Sequence, residues 1–116
     1  MTDFTIQGFT YDRFTGADGV KLNVAHAGEG SPVILLHGFP QTHLMWNAVA
    51  RDLRQDHAVI ALDLRGYGDS DKPEAVSPET YSKRTMASDV VEIAAQFGYD
   101  RFAVIGHDRG ALVALR

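Results

Sequence analysis

The stretch GHDRGA, residues 106–111, decides how the rest of the chain is interpreted. It follows the apolar run FAVI at 102–105, which predicts a buried strand ending at Gly106. Glycines stand two residues before and two residues after Asp108, and their missing Cβ atoms permit the tight turn of a strand–turn–helix elbow. Such an elbow presents a nucleophile at its centre, so Asp108 is the candidate catalytic residue. The alternative is that Asp108 caps a helix beginning near Arg109.

Upstream of this elbow, the chain alternates between the hydrophobic periods of strands and helices. Residues 9–14 and 20–26 flank a glycine-containing turn and predict an antiparallel hairpin. The later apolar runs do not alternate, as expected for strands covered on both faces. A hairpin followed by a βαβαβα order predicts an α/β fold with a mixed, mostly parallel sheet flanked by helices. The predicted order after the hairpin is a strand at 33–36, a helix capped by Thr42, a strand at 58–62, a helix from about Lys83 to a cap at Gly98, a strand at 102–106 and a helix from about Arg109.

Each of the two complete helices carries one apolar stripe. In both, the apolar residues recur at the three- and four-residue spacing of a helix face, so we expect all of them to point toward the core. The stripes consist of Trp46, Val49, Ala50 and Leu53 in the first helix and of Met86, Val90, Ile93, Ala94 and Phe97 in the second.

Length and composition are those of an ordinary globular protein. The length of 116 residues suits one domain. Of these residues, 45% are hydrophobic and 22% are charged. A formal net charge of −4 gives no general attraction to nucleic acid or an anionic membrane, and the absence of cysteine excludes disulfides and thiolate sites. No signal-like N-terminus or membrane-spanning run is present. We expect a soluble, cytoplasmic protein with a small-molecule substrate and no nucleic-acid or membrane partner. The sequence is also compatible with a homodimer.

Neither a metal ion nor an organic cofactor is expected. Five histidines are present, but no pair of them has the spacing of a metal site. Gly66 and Gly68 follow a predicted strand, as in a dinucleotide-binding loop, but Asp71 stands at the third glycine position of that motif.

Three loops leave the carboxyl ends of the predicted parallel strands, at 37–40, 63–68 and 106–110. Ligands bind at this edge in open α/β sheets. An elbow nucleophile needs an oxyanion hole, in which one donor is the amide after the nucleophile and the other comes from a neighbouring loop. The backbone N–H groups of Arg109 and Phe39 would occupy these two positions.

Three segments carry a resemblance to one enzyme family, namely HGFPQTHLMW at 37–46, DLRGYGDSDKP at 63–73 and GHDRGA at 106–111. Over essentially its whole length the chain resembles the N-terminal part of an α/β-hydrolase of the dehalogenase and epoxide hydrolase branch. The arginine after Asp108 makes it most similar to haloacetate dehalogenases, including fluoroacetate dehalogenases. Those enzymes typically carry a second arginine where this chain has Leu112, so epoxide hydrolysis or another α/β-hydrolase activity is the alternative.

The resemblance implies a two-step hydrolysis on Asp108. The ionised carboxylate displaces a leaving group from an sp³ carbon, and a histidine-activated water then hydrolyses the ester while the amides of Phe39 and Arg109 hold the oxyanion. Arg109 would also hold a substrate carboxylate, and Phe39 would form the pocket wall. The histidine, its acidic partner and a cap domain are implied to lie beyond residue 116, which makes residues 1–116 the N-terminal part of one core domain.

The remaining histidines receive structural interpretations. We expect His37 and His107 to support their loops rather than to act as bases. His26, His43 and His57 are expected at the surface. The complete set of loop-supporting residues is His37, Gly38, Pro40, Gly106, His107 and Gly110.

Two expectations concern the second loop and the chain as a unit. Asp63, Arg65 and Asp69 are predicted to form ion pairs that brace their loop. The family's strand order, 1-2-4-3-5, would leave the apolar strand 102–106 at the edge of the sheet. The 116-residue polypeptide by itself is therefore expected to be inactive and either to aggregate or to associate through that strand. The competing hypothesis is a complete, non-catalytic binding or assembly module.

Overall fold

A mixed β-sheet lies at the centre of the computed structural model, which describes residues 6, 8–37, 42–74 and 80–107. Within those residues the strands are β1 (Thr10–Thr15), β2 (Lys21–Ala27), β3 (Ser31–Leu36), β4 (His57–Leu62) and β5 (Ala103–Gly106). The helices are α1 (Asn47–Leu53) and α2 (Lys83–Gln96), with short 3₁₀ turns at Ala17–Gly19 and His43–Trp46. The strand order across the sheet is β1-β2-β4-β3-β5, which confirms the order expected for the family.

Strand direction brings three loops to one edge of the sheet. β1 and β2 form the predicted antiparallel hairpin, and β2 is also antiparallel to β4. β3 is parallel to both β4 and β5, with Leu36 opposite Leu62 on one side and opposite Gly106 on the other. The three parallel strands therefore end at the same level, and the segments that follow them start side by side.

The core has two layers because the sheet is apolar on both faces. On one face, α2 packs its predicted stripe against β2, β3 and β4; on the other, the 3₁₀ turn and α1 cover the sheet with Trp46 and Ala50. Burying such side chains contributes about 1.5–3 kcal/mol for each large apolar residue. No helix among the described residues combines the length and apolar character needed to cross a bilayer.

The predicted caps are present, although Thr42 caps the 3₁₀ turn that leads into α1 rather than α1 itself. Thr42 Oγ1 accepts a hydrogen bond from the Leu44 amide at 3.2 Å, and Ser82 Oγ accepts one from the Thr85 amide at 3.1 Å. Gly98 follows α2 with a φ of +83°, the left-handed conformation that a C-terminal cap requires. The expected helix from about Arg109 lies outside the described residues.

One member of the first predicted stripe, Val49, does not reach the core. Its side chain is 43% exposed, whereas Trp46 and Ala50 are buried. An α-helix advances about 100° per residue, so Val49 lies about 60° from Trp46 on the side away from Ala50. In a helix of only seven residues this position falls at the margin of the buried face.

β5 is less buried than its apolar sequence predicts. Ala103 is exposed, and the Ile105 side chain is 41% exposed. The reason is positional, because β5 pairs with β3 alone and stands at one end of the sheet within the described residues. Its outer row of N–H and C=O groups offers a template for another strand.

We expect the 116-residue polypeptide, produced by itself, to associate through this edge. Ile105→Lys should shift it toward the monomer, because a charge on an edge strand opposes strand addition. Size-exclusion chromatography with light scattering measures the effect. Val91→Lys, which adds the same charge at a 60% exposed position on α2, is the control and should leave association unchanged. A cooperatively unfolding 12.7 kDa monomer of the unsubstituted polypeptide would contradict the expectation.

Candidate functional site

The candidate site is the edge at which β3, β4 and β5 end. Of the residues predicted from the sequence, His37, Gly106 and His107 fall within the described structure there. The His107 amide donates to the Leu36 carbonyl at 3.1 Å, so the chain leaving β5 stays beside the chain leaving β3. The predicted residues that lie outside the described part of the chain are Gly38, Phe39, Pro40, Asp108, Arg109 and Gly110.

His37 is a buried link between two of the three loops. Its Nε2 accepts a hydrogen bond from the Leu64 amide at 2.9 Å, and its ring meets the Tyr67 ring edge-on with centroids 5.1 Å apart. An acceptor at Nε2 places the proton of a neutral ring on Nδ1. The side chain thus joins the end of β3 to the loop after β4.

The Asp63 carboxylate accepts hydrogen bonds from three parts of the structure. Oδ1 receives the backbone N–H of His43 at 2.7 Å and lies 2.8 Å from its Nδ1. Oδ2 receives Asn23 Nδ2 from β2 and the Asp69 amide, each at 3.0 Å. Burial by itself raises the pKa of the Asp63 carboxyl, but the hydrogen bonds and electrostatic attraction of His43 and the bond from Asn23 outweigh burial and lower the pKa to about 2. Asp63 is therefore ionised at neutral pH.

His43 is buried, which corrects the expectation of a surface residue. Its side chain is only 2% exposed. An ionised carboxylate can only accept, so Nδ1 carries a proton toward Asp63. Nε2 lies 2.7 Å from the Tyr11 hydroxyl, whose oxygen accepts from the Ile6 amide at 2.6 Å. Sequence patterns did not predict these hydrogen bonds, because Asp63 and Tyr11 stand 20 and 32 residues from His43.

The other two histidines expected at the surface are partly buried. His26 lies on β2, and its Nε2 is 3.0 Å from the Asp12 carboxylate on β1. His57 begins β4, and its buried Nδ1 has no hydrogen-bond partner among the described residues. The His26 ring is shielded by two phenylalanine rings, Phe14 and Phe97, whose centroids lie 6.2 and 5.0 Å from its own.

One of the predicted loop-bracing ion pairs forms at Arg65, whereas Asp63 is held by its hydrogen bonds with His43. Arg65 Nε and Nη2 donate to the two Asp89 oxygens on α2 at 2.8 and 2.7 Å, and both side chains are almost fully buried. The same guanidinium donates to the Thr80 and Ala17 carbonyls, so it ties the loop to the hairpin as well. Asp69 participates through its main chain, donating its amide to Asp63 and accepting from Arg13 at its carbonyl.

Gly68 is required by the close approach of the loop to Asp63. Its φ is +51°, a conformation that side chains disfavour, and a Cβ at this position would collide with the Asp63 carboxyl group. The glycine allows residues 66–69 to fold over the carboxylate and bring the Asp69 amide to it.

Among the described residues, a cavity of about 150 Å³ lies at this edge, lined by Thr42, His43, Leu44, Asp63, Gly68 and Asp69. Its volume is below the roughly 300 Å³ at which pockets for organic ligands begin. A wider depression of about 700 Å³ lies elsewhere, beside the end of α1, lined by Gly8, Ala48, Arg51, Asp52, Arg54 and Gln55. Among the described residues, no three histidine, aspartate or glutamate side chains are grouped as metal ligands.

Comparison with known proteins matches residues 31–116 to the family described as alpha/beta hydrolase fold. A soluble epoxide hydrolase from Corynebacterium sp. (strain C12) is 46% identical over 97 residues, which are 84% of this chain and 32% of that protein. A fluoroacetate dehalogenase from Burkholderia sp. is 44% identical over 99 residues, 84% of this chain and 33% of that protein. The structure of an epoxide hydrolase variant from Vigna radiata superposes with a TM-score of 0.86 at 31% identity, covering 94% of this chain and 34% of that one. The chain thus spans about a third of the length of these relatives.

We expect Asp63 to make protein stability depend on acid pH. A carboxyl whose pKa falls from 3.8 unfolded to about 2 folded contributes about 2 kcal/mol. That contribution is present above pH 3.8 and is lost as the pH falls through about 2. The stability difference between the complete protein and its Asp63→Asn variant, from urea unfolding, should therefore shrink over this range. A ¹³C NMR titration midpoint for Asp63 near the unfolded value would contradict the expectation.

Proposed function

The chain belongs to the α/β-hydrolase fold family, and on that premise we propose that Asp108 is the nucleophile of a hydrolase that works through a covalent alkyl ester. Residues 1–116 are, in this proposal, the N-terminal part of its core domain. The general base that completes the reaction comes from the rest of the protein.

The observation that carries this proposal is the pairing of β3 with β5. Leu36 lies opposite Gly106, and the His107 amide is bonded to the Leu36 carbonyl at 3.1 Å. The HGFP segment and the GHDRG segment therefore begin side by side at the carboxyl edge of the sheet. Their adjacency supports a site in which the amides of Phe39 and Arg109 serve the same reacting group as Asp108.

Aspartate at the elbow favours substitution at an sp³ carbon. A carboxylate is ionised at neutral pH, so it needs no base to become a nucleophile. One Asp108 oxygen bonds to the substrate carbon, and the bond from that carbon to the leaving group breaks. The leaving group departs as halide, or remains attached as the opened oxygen of an epoxide, which then takes a proton.

The second step regenerates the enzyme. A base-activated water attacks the carbonyl carbon of the Asp108 ester, giving a tetrahedral oxyanion that the Phe39 and Arg109 amides stabilise. The ester C–O bond then breaks and the product leaves as an alcohol. The oxyanion hole thus serves hydrolysis of the ester. Formation of the ester does not need the hole, because it places no oxyanion on the Asp108 carbonyl.

Arg109 favours a haloacetate as the substrate. A guanidinium beside the nucleophile can hold a substrate carboxylate by charge-assisted hydrogen bonds. A cation at the start of a helix is electrostatically unfavourable, so an anionic partner would offset that cost. The similarity to a fluoroacetate dehalogenase is consistent with this assignment.

Epoxide hydrolysis is the second candidate, favoured by Leu112. A leucine there leaves one arginine to hold a carboxylate, which suits a neutral substrate better. Similarity to epoxide hydrolases from Corynebacterium and Vigna radiata points the same way.

We expect Leu112→Arg to separate these candidates in the complete protein. If Arg109 holds a haloacetate carboxylate, a second guanidinium should raise kcat/KM for haloacetates by about tenfold or more, as expected for one charge-assisted hydrogen bond. Leu112→Gln is the control of similar size without charge and should leave kcat/KM unchanged. Asp108→Asn should abolish turnover of every substrate. Rapid epoxide turnover, with haloacetates untouched in both the parent and Leu112→Arg, would overturn the haloacetate assignment.

A further inference from the structure

His37 and His43, which flank the segment 38–41, are both hydrogen-bonded to the dipeptide Asp63–Leu64. Before the segment, His37 Nε2 accepts from the Leu64 amide at 2.9 Å. After it, His43 meets Asp63 through its backbone amide at 2.7 Å and its Nδ1 at 2.8 Å. Two histidines six residues apart are therefore fixed to two consecutive residues of the loop after β4.

We propose that His43 is a positioning residue that, through Asp63, holds the oxyanion donor at Phe39 in place for hydrolysis of the Asp108 ester. The inference rests on the function proposed above and extends it to a residue that does not touch the substrate. It accounts for a histidine that is buried and paired with Asp63 on one side and with Tyr11 on the other.

The anchors act on a short piece of chain. Phe39 stands two residues after His37 and four before His43, so a described residue on each side of it is hydrogen-bonded to the loop after β4. The Thr42 hydroxyl, which accepts from the Leu44 amide, fixes the turn at the same end. Oxyanion stabilisation depends on donor placement to within about 0.5 Å, so fixed ends favour the hydrolytic step.

His43 cannot itself be the base in this arrangement. Nδ1 faces the Asp63 carboxylate and Nε2 faces the Tyr11 hydroxyl at 2.7 Å, so both ring nitrogens are occupied in either protonation state. Asn23 and Asp69 fill the other Asp63 oxygen. The hydrogen-bond partners of His43 therefore fix the orientation of its ring, as a positioning residue requires.

The two chemical steps respond differently to a loose oxyanion loop. Ester formation consumes the Asp108 carboxylate and does not use the hole, whereas ester hydrolysis builds negative charge in it. His43→Leu should therefore slow hydrolysis by at least about tenfold while ester formation stays within about twofold, and the covalent ester should accumulate. His43→Asn, whose amide can replace the Nδ1 donor, should largely restore the hydrolysis rate.

Rapid quench of the complete protein with substrate, followed by mass spectrometry, measures both rate constants. Ile93→Val, a destabilising change in the buried part of α2, is the control and should leave their ratio unchanged. Asp63→Asn provides an isosteric second variant if His43→Leu does not fold. Its amide NH₂ would face the Asn23 and Asp69 donors, so it should also slow hydrolysis selectively.

Three outcomes distinguish the hypotheses. Selective slowing in His43→Leu or Asp63→Asn, with rescue by His43→Asn, supports the inference. Equal slowing of both steps, or no change in their ratio, overturns it while leaving the proposed function intact. Absence of a trapped ester in every protein tested, including the variants whose hydrolysis should be slowed, contradicts the proposed function itself, and the inference with it.

Discussion

The buried Asp63 carboxylate is the constraint on which the arrangement of this edge depends. Removing a carboxylate from water costs several kcal/mol unless its oxygens are paired. Here each oxygen is satisfied: Oδ1 by His43 beside α1, and Oδ2 by Asn23 on β2 and by the amide of Asp69 further along the same loop. One charge thereby fixes the hairpin, the loop after β4 and the chain leading into α1 relative to one another.

A buried ion pair completes the bracing. Arg65 reaches Asp89 on α2 and two main-chain carbonyls, so the loop after β4 is also fixed to α2 and to the turn of the hairpin. Breaking such a pair by removing one partner typically costs about 3–5 kcal/mol, because a charge is left buried. The loop between these two pairs is therefore rigid enough to carry anchors for its neighbours, including the Leu64 amide that binds His37.

Most of the fold could be predicted from sequence because local hydrophobic patterns determine its strands and helices. Unbroken apolar runs indicated β3 and β4, a three- and four-residue spacing indicated α2, and the family resemblance gave the strand order that the sheet shows. The partial exposure of β5 could not be predicted from its apolar residues, because burial there depends on what lies beside the strand.

The polar network was harder to predict because its partners are distant in sequence. Ion pairing of Asp63 and Arg65 was expected from their positions in a charged loop; Arg65 pairs with Asp89, and the partner of Asp63 is the hydrogen-bonded His43. The partners of Asp63 and Arg65 could not be identified from the sequence. His43 had the features of a polar residue at a helix start, and Asp89 had those of an ordinary charged residue between the apolar positions of α2. Contacts of this kind follow from strand order and loop packing, which no spacing rule encodes.

Isotope labelling of a single turnover tests the covalent role of Asp108 most directly. With the complete enzyme in excess over substrate in ¹⁸O-water, ester formation followed by attack on the carbonyl carbon should leave the first product with unlabelled oxygen taken from Asp108. The solvent label should then be found in the peptide that contains Asp108, and in product only from later turnovers. Appearance of ¹⁸O in the first-turnover product, with Asp108 unlabelled, would show that water attacks the substrate directly and would contradict the account.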